Sequence, residues 1–117
     1  LVEKAVMIVA EPLHVLDTQP ADVLGLIWLT VRGAFDRSGY IPLLGVAPDA
    51  RGQGVGAALI NNAERYFRPL TRDVFLLCSD FNINAQRFYI RQGYQQVGVL
   101  PGYVLPDVAE LIYRKQF

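Results

Sequence analysis

Val46-Ala47-Pro48-Asp49-Ala50-Arg51-Gly52-Gln53-Gly54-Val55-Gly56 decides how this 117-residue chain is read, because it joins a strand-like run to a helix-like run through glycines. Ahead of it, Tyr40 to Val46 is short and mostly apolar, the pattern of a buried strand. Behind it, Val55, Ala58, Leu59, Asn62, Ala63, Tyr66 and Phe67 recur at helical spacing until Pro69 ends the run. A strand that enters a helix through small residues leaves several backbone N–H groups unpaired, at the positive end of the helix dipole. That junction can seat a phosphate or a pyrophosphate. The plainer alternative is a structural turn whose glycines serve tight packing alone.

Two familiar phosphate loops fail against these residues. A Walker loop needs Lys and then Ser or Thr after its last glycine, and Gly56 is followed by Ala57 and Ala58. A dinucleotide fingerprint needs G-x-G-x-x-G, whereas the glycines here run Gly52-x-Gly54-x-Gly56. The chain is also too short for a complete two-half Rossmann sheet.

Working outward, Ala5 to Ala10 reads as a strand, Glu11 to Ala21 as a connection with two prolines, and Val23 to Val31 as a second strand. Gly33 to Gly39 reads as a turn into the Tyr40 to Val46 strand, and the Val55 to Phe67 helix follows. Asp73 to Cys78 is a strand and Asn84 to Gln92 a helix capped by Gly93. Gln95 to Val99 and Val108 to Arg114 form an antiparallel pair joined across Pro101-Gly102 and Pro106-Asp107. The order is βββαβαββ within one domain over residues 1–117.

Composition narrows the function classes. Eleven basic and eleven acidic side chains cancel, leaving no electrostatic footprint for nucleic acid or an anionic membrane. No apolar stretch reaches a membrane span, and no signal-peptide pattern opens the chain. The single Cys78 excludes an internal disulfide and fits a reducing, cytoplasmic setting. One Cys and one His, His14, do not make a strong metal site. Cys78 reads as a small buried hydrophobe, with no His placed to activate it. An apolar fraction of 52% fits a well-filled core or one completed by a partner.

The glycine loop resembles the acyl-CoA loop of the GCN5-related N-acetyltransferase (GNAT) superfamily, Arg/Gln-x-x-Gly-x-Gly/Ala, which Arg51-Gly52-Gln53-Gly54-Val55-Gly56 meets at every defined position. Leu44-Gly45-Val46-Ala47-Pro48 is similar to the strand leading into that loop. Asn82-Ile83-Asn84-Ala85-Gln86-Arg87-Phe88-Tyr89, followed by Gly93-Tyr94, is similar to the superfamily's second signature. The resemblance implies an α/β (α+β) fold: a mixed, mostly antiparallel sheet of about six strands with two main helices. The superfamily's opening strand and first two helices have no counterpart here, and the chain begins at Leu1. A truncated product, a fragment and a small natural member all fit that.

The resemblance also implies the chemistry: acetyl transfer from acetyl-CoA to a primary amine, by direct attack and without a metal. It assigns the pyrophosphate of CoA to backbone N–H groups of Arg51, Gly52, Gln53, Gly54, Val55 and Gly56, with the Arg51 side chain as a charged donor or simply a solvated arginine. Leu44, Gly45 and Val46 would face the pantetheine arm; Gly45 within a strand signals a bulge or a close backbone approach. Asn82 would hold that arm, or else Asn82 or Asn84 caps the helix. Tyr89 would donate to the leaving sulfur, or else belongs to the core.

The general base is not singled out. Members often carry a Glu on a central strand, yet neither Tyr40 to Val46 nor Val74 to Cys78 holds a carboxylate; Asp36, Asp80 or a tyrosine acting through water are substitutes. The rival reading is a non-catalytic CoA-binding module, and a third is a subunit whose partner supplies the missing elements. A homodimer is expected, because the Ala5 to Ala10 edge has only Glu3, Lys4 and Glu11 as flanking charges.

Overall fold

The computed structural model describes residues 5–11 and 23–117. Strand β1 is Ala5–Ala10, β2 Gly25–Ala34 and β3 Ser38–Val46; a 3₁₀ turn at Pro48–Ala50 precedes helix α1, Val55–Phe67. Then follow β4, Asp73–Ser79; helix α2, Ile83–Arg91; β5, Gln95–Pro101; and β6, Ala109–Gln116. This is the expected order. Most of the connection read over Glu11 to Ala21, with His14, lies outside the described residues, as do Glu3 and Lys4.

The turn between β2 and β3 is tighter than the sequence suggested. Phe35 and Asp36 both adopt left-handed backbone, with φ of 57° and 55°, and Arg37 N donates to Ala34 O at 3.2 Å. Arg32 holds this strained pair, donating to Asp36 O at 3.0–3.1 Å and meeting the Asp36 carboxylate at 3.1 Å. β2 and β3 therefore continue almost to the turn.

The six strands form one sheet in the order β1-β2-β3-β4-β6-β5, antiparallel except for the β3–β4 pair. That parallel ladder is short: it pairs Gly39, Tyr40 and Ile41 with Val74, Phe75 and Leu76. Pro42, with no N–H to donate, follows the last pair. β4 meanwhile stays paired with β6 along its whole length. Beyond Ile41, β3 and β4 separate, and residues 42–46 face the gap with no strand partner on that side among the described residues.

Both helices lie on one face of the sheet. Leu59, Ile60, Ala63 and Phe67, on one side of α1, pack with Ile27, Leu29, Ile41, Val74 and Leu76. Burying each of these larger side chains contributes about 1.5–3 kcal/mol. Cys78 sits in the same cluster, 5% exposed. Buried Glu64 of α1 ties the layers together: it accepts from Tyr94 Oη at 3.1 Å and Lys115 Nζ at 2.8 Å. Lys115 also donates to Gln92 O at 2.8 Å, anchoring the end of α2. There Gly93, at φ 94°, donates to Ile90 O while Tyr94 N reaches Tyr89 O, which closes the helix as a glycine cap should.

Strand alternation sends the other side chains to the opposite face. Through the cross-strand pairs, Met7, Trp28, Tyr40, Phe75, Ser79, Glu110 and Arg114 share that face, on which no described helix packs.

Candidate active site

A cleft of about 600 Å³ opens where β3 leaves β4, bounded by the free end of β3, the glycine loop and α2. Leu44, Val46, Arg51, Gly52, Gly54, Val55, Gly56, Asn82 and Tyr89 all line it. Two motifs 26 residues apart in sequence thus meet across one cavity.

Gly45 and Gln53 are not among the lining residues. Gly45 pairs with Leu26, so alternation turns it to the other face, and a Cβ there would meet no atom within 4 Å. No bulge or close internal approach explains it. Gln53 folds back, its Nε2 donating to Asp49 O at 3.2 Å.

The loop's geometry explains two of its glycines. Gly52 and Gly54 adopt φ of 77° and 82°, and a Cβ on either would point into open space. Gly54 is the N-cap of α1 and offers no side chain to the helix end. The first helical bond is Ala58 N to Gly54 O at 3.0 Å, so the N–H groups of Val55, Gly56 and Ala57 have no acceptor within the helix. Gly56 has a different reason. A Cβ there would lie 3.2 Å from the Phe88 ring, so this glycine lets α1 approach α2.

Asn82, not Asn84, is the N-cap of α2: its Oδ1 accepts from Ala85 N at 3.1 Å. Its amide nitrogen is left for the cleft. About two helix turns later, Tyr89 is half-buried between Phe88 and Tyr94, with ring centroids at 5.3 and 6.0 Å. Among the described residues nothing hydrogen-bonds its hydroxyl. Burial, with a smaller contribution from Cys78, pushes its phenol up to about 12. Burial also raises the Cys78 thiol, with Glu110 adding to it, which keeps the sulfur in its unreactive form.

Neither Asp36 nor Asp80 lines the cleft. Asp36 is ion-paired in the turn at the far end of β3, on the order of 25 Å from Val46 at about 3.3 Å per residue. Asp80 spends Oδ2 on Ala109 N at 3.1 Å, fixing the start of β6. Sequence reasoning passed over Arg91 and Phe88, which also line the cleft. The i, i+3 spacing of Phe88 and Arg91 was the signal that they share a helix face. Among the described residues no group of three or more His, Cys, Asp or Glu could hold a metal, and no helix is long and apolar enough to cross a membrane.

Residues 8–94 match the model of the Acetyltransferase (GNAT) family. A mycothiol acetyltransferase of Stackebrandtia nassauensis is 42% identical over 74 residues, covering 62% of this chain and 24% of that protein. An uncharacterised N-acetyltransferase of Methanocaldococcus jannaschii is 31% identical over 86 residues, covering 71% of this chain and 55% of that protein. The chain thus spans between a quarter and somewhat over half the length of these two relatives. Among solved structures, NAA60 of Arabidopsis thaliana in complex with acetyl-CoA superposes with a TM-score of 0.73 at 22% identity, over 82% of this chain and 66% of that one. It shares the fold.

Proposed function

Because the chain belongs to the acetyltransferase (GNAT) family, we propose that it transfers an acetyl group from acetyl-CoA to a primary amine of a small molecule or protein. The observation that carries this reading is the cleft itself, which among the described residues has a helix N-terminus with free N–H groups at one end and an unpaired tyrosine hydroxyl at the other. A pyrophosphate suits the first and a thioester sulfur the second. The pantetheine arm between them would run along residues 42–46, whose backbone has no strand partner on that side, with the Asn82 amide on the opposite wall.

In the reaction the amine nitrogen attacks the thioester carbonyl, the C–N bond forms, the C–S bond breaks, and the thiolate departs. Tyr89 assists by hydrogen bonding rather than by outright proton donation. A phenol at about 12 facing an alkyl thiol near 8.5 makes full transfer uphill by roughly 5 kcal/mol. A donor aimed at charge that grows only in the transition state still lowers the barrier.

Calorimetry with CoA, then CoA-thiol release from acetyl-CoA in the presence of primary amines, tests the reading. Binding with thiol release is expected. Binding without release for any amine would leave a CoA-binding module, and no binding would end both readings.

A homodimer completes this proposal. Met7, Val9, Trp28 and Leu43 are 41–54% exposed, lie together on the helix-free face and reach the β1 edge. Such apolar surface beside an unpaired edge favours a two-fold partner. Light scattering at micromolar concentration is expected to give twice the chain mass; a clean monomer would show that this face is stable in water.

A further inference from the structure

Glu110 is 8% exposed on β6, and among the described residues its side chain has one hydrogen bond and no cation. Ser79 Oγ donates to Oε2 at 2.8 Å, across the Ser79↔Glu110 pair of the β4–β6 ladder. Carboxylates this buried are almost always paired with a cation, which leaves Glu110 as a place for a cationic ligand to dock. By strand alternation Glu110 and Ser79 lie on the helix-free face, as does Tyr40. Tyr89 approaches the same region from the helix side, through Cys78.

The separation of β3 and β4 beyond Ile41 lies between these two sides. Glu110 and Tyr103, which belongs to the β5–β6 connection, both act on the Tyr40 phenol and add to the upward push of its burial. Glu110 likewise acts on Cys78, the neighbour of Tyr89. The carboxylate is thus placed beside the gap in the sheet, with Tyr40 and the Tyr103 loop around it. The CoA-side cleft, which it does not line, is across that gap.

We propose that Glu110 is the group that receives the acceptor amine, binding its ammonium form from the helix-free face and taking its proton. This rests on the acetyltransferase reading above and supplies the base that the sequence did not show. The ammonium and the carboxylate neutralise each other by one proton transfer. The free amine attacks the thioester through the gap. The second nitrogen proton leaves to water as the C–S bond breaks, and the thiolate departs against the Tyr89 hydrogen bond and is protonated from water. Glu110 then returns its proton to water. The substrate class that fits is a primary alkylamine carried on a part apolar enough to sit against Tyr40 and Tyr103.

The test compares the parent with Glu110→Gln, which keeps the Ser79 hydrogen bond and removes the charge; unchanged amide NMR spectra confirm the fold. CoA affinity, read by calorimetry, is expected to stay within about twofold, since Glu110 is outside that cleft. Turnover with 1,4-diaminobutane, tyramine and a lysine-containing peptide is expected to fall about 10²-fold or more. Turnover with hydroxylamine, already unprotonated at neutral pH, is expected to fall much less. In ¹³C-glutamate-labelled parent bound to CoA, 1,4-diaminobutane is expected to shift the carboxyl resonance that disappears in Glu110→Gln. Equal losses with ammonium and neutral nucleophiles would overturn the proposal, as would a variant that keeps its turnover. A parent that turns over none of these amines and shows no resonance shift would overturn it too. Loss of CoA binding by the parent would instead strike the acetyltransferase reading.

Discussion

Ala57→Glu is expected to weaken CoA binding at least about tenfold, or about 1.4 kcal/mol, without costing the protein any stability. Ala57 is the third residue of α1 after its Gly54 N-cap and lines the cleft. A glutamate at that position reaches back to the cap N–H and meets the positive end of the helix, which is worth about 0.3–1 kcal/mol to the free protein. The same carboxylate then occupies the N–H groups that the pyrophosphate needs and repels its charge. Two unit charges about 4 Å apart near a protein surface interact by about 1–4 kcal/mol. Ala57→Gln has the shape without the charge and should lose much less. Calorimetric titration beside thermal unfolding reads both effects. Undiminished affinity, or a loss that merely follows a fall in Tm, would sink the phosphate seat. This substitution is sharper than changes at Gly54 or Gly56, which strain the left-handed backbone or strike Phe88.

Tyr89→Phe should reduce kcat by about 10²–10³-fold while acetyl-CoA affinity changes little. The hydroxyl has no other partner among the described residues, so its removal leaves nothing stranded, and the ring contacts with Phe88, Tyr94 and Tyr113 survive. The pH profile separates this role from an ordinary titrating tyrosine. A raised phenol stays protonated to higher pH, so the donor form persists until about 12 and no alkaline fall near 10 should come from Tyr89. A limb near 10 in the parent that vanishes in Tyr89→Phe would show that the phenol ionises at its usual value. A variant with most of its turnover intact would make Tyr89 a core residue.

The sequence was legible where local patterns carry the information. The α1 bounds could be read to the residue because its apolar side repeats through Leu59, Ile60, Ala63 and Phe67 and Gly54 opens it. The meeting of the Gly52–Gly54 loop with Asn82 and Tyr89 was legible through the family resemblance, since the two motifs are far apart along the chain. The face that Gly45 serves was not legible, because a glycine's absent side chain does not say which face it is missing from; that follows from the Leu26 pairing. Glu110 was invisible for a similar reason. On β6 it looks like any strand carboxylate, and only the folded sheet shows that it is buried against Ser79 and, among the described residues, without a cation. The Phe35-Asp36 turn escaped because neither residue advertises left-handed backbone, and its support comes from Arg32.

The three-pair ladder between β3 and β4 makes the sheet two three-stranded panels joined by a narrow hinge. One panel, β1-β2-β3, carries the glycine loop; the other, β4-β6-β5, carries α2 on the connection between β4 and β5. A molecule lying in the cleft would hold both panels at once and act as a third fastening beside the hinge and α1. Its binding energy would then fall on the joint, where the protein's own bonds are fewest, so the loaded protein would open as one body and the empty one as two.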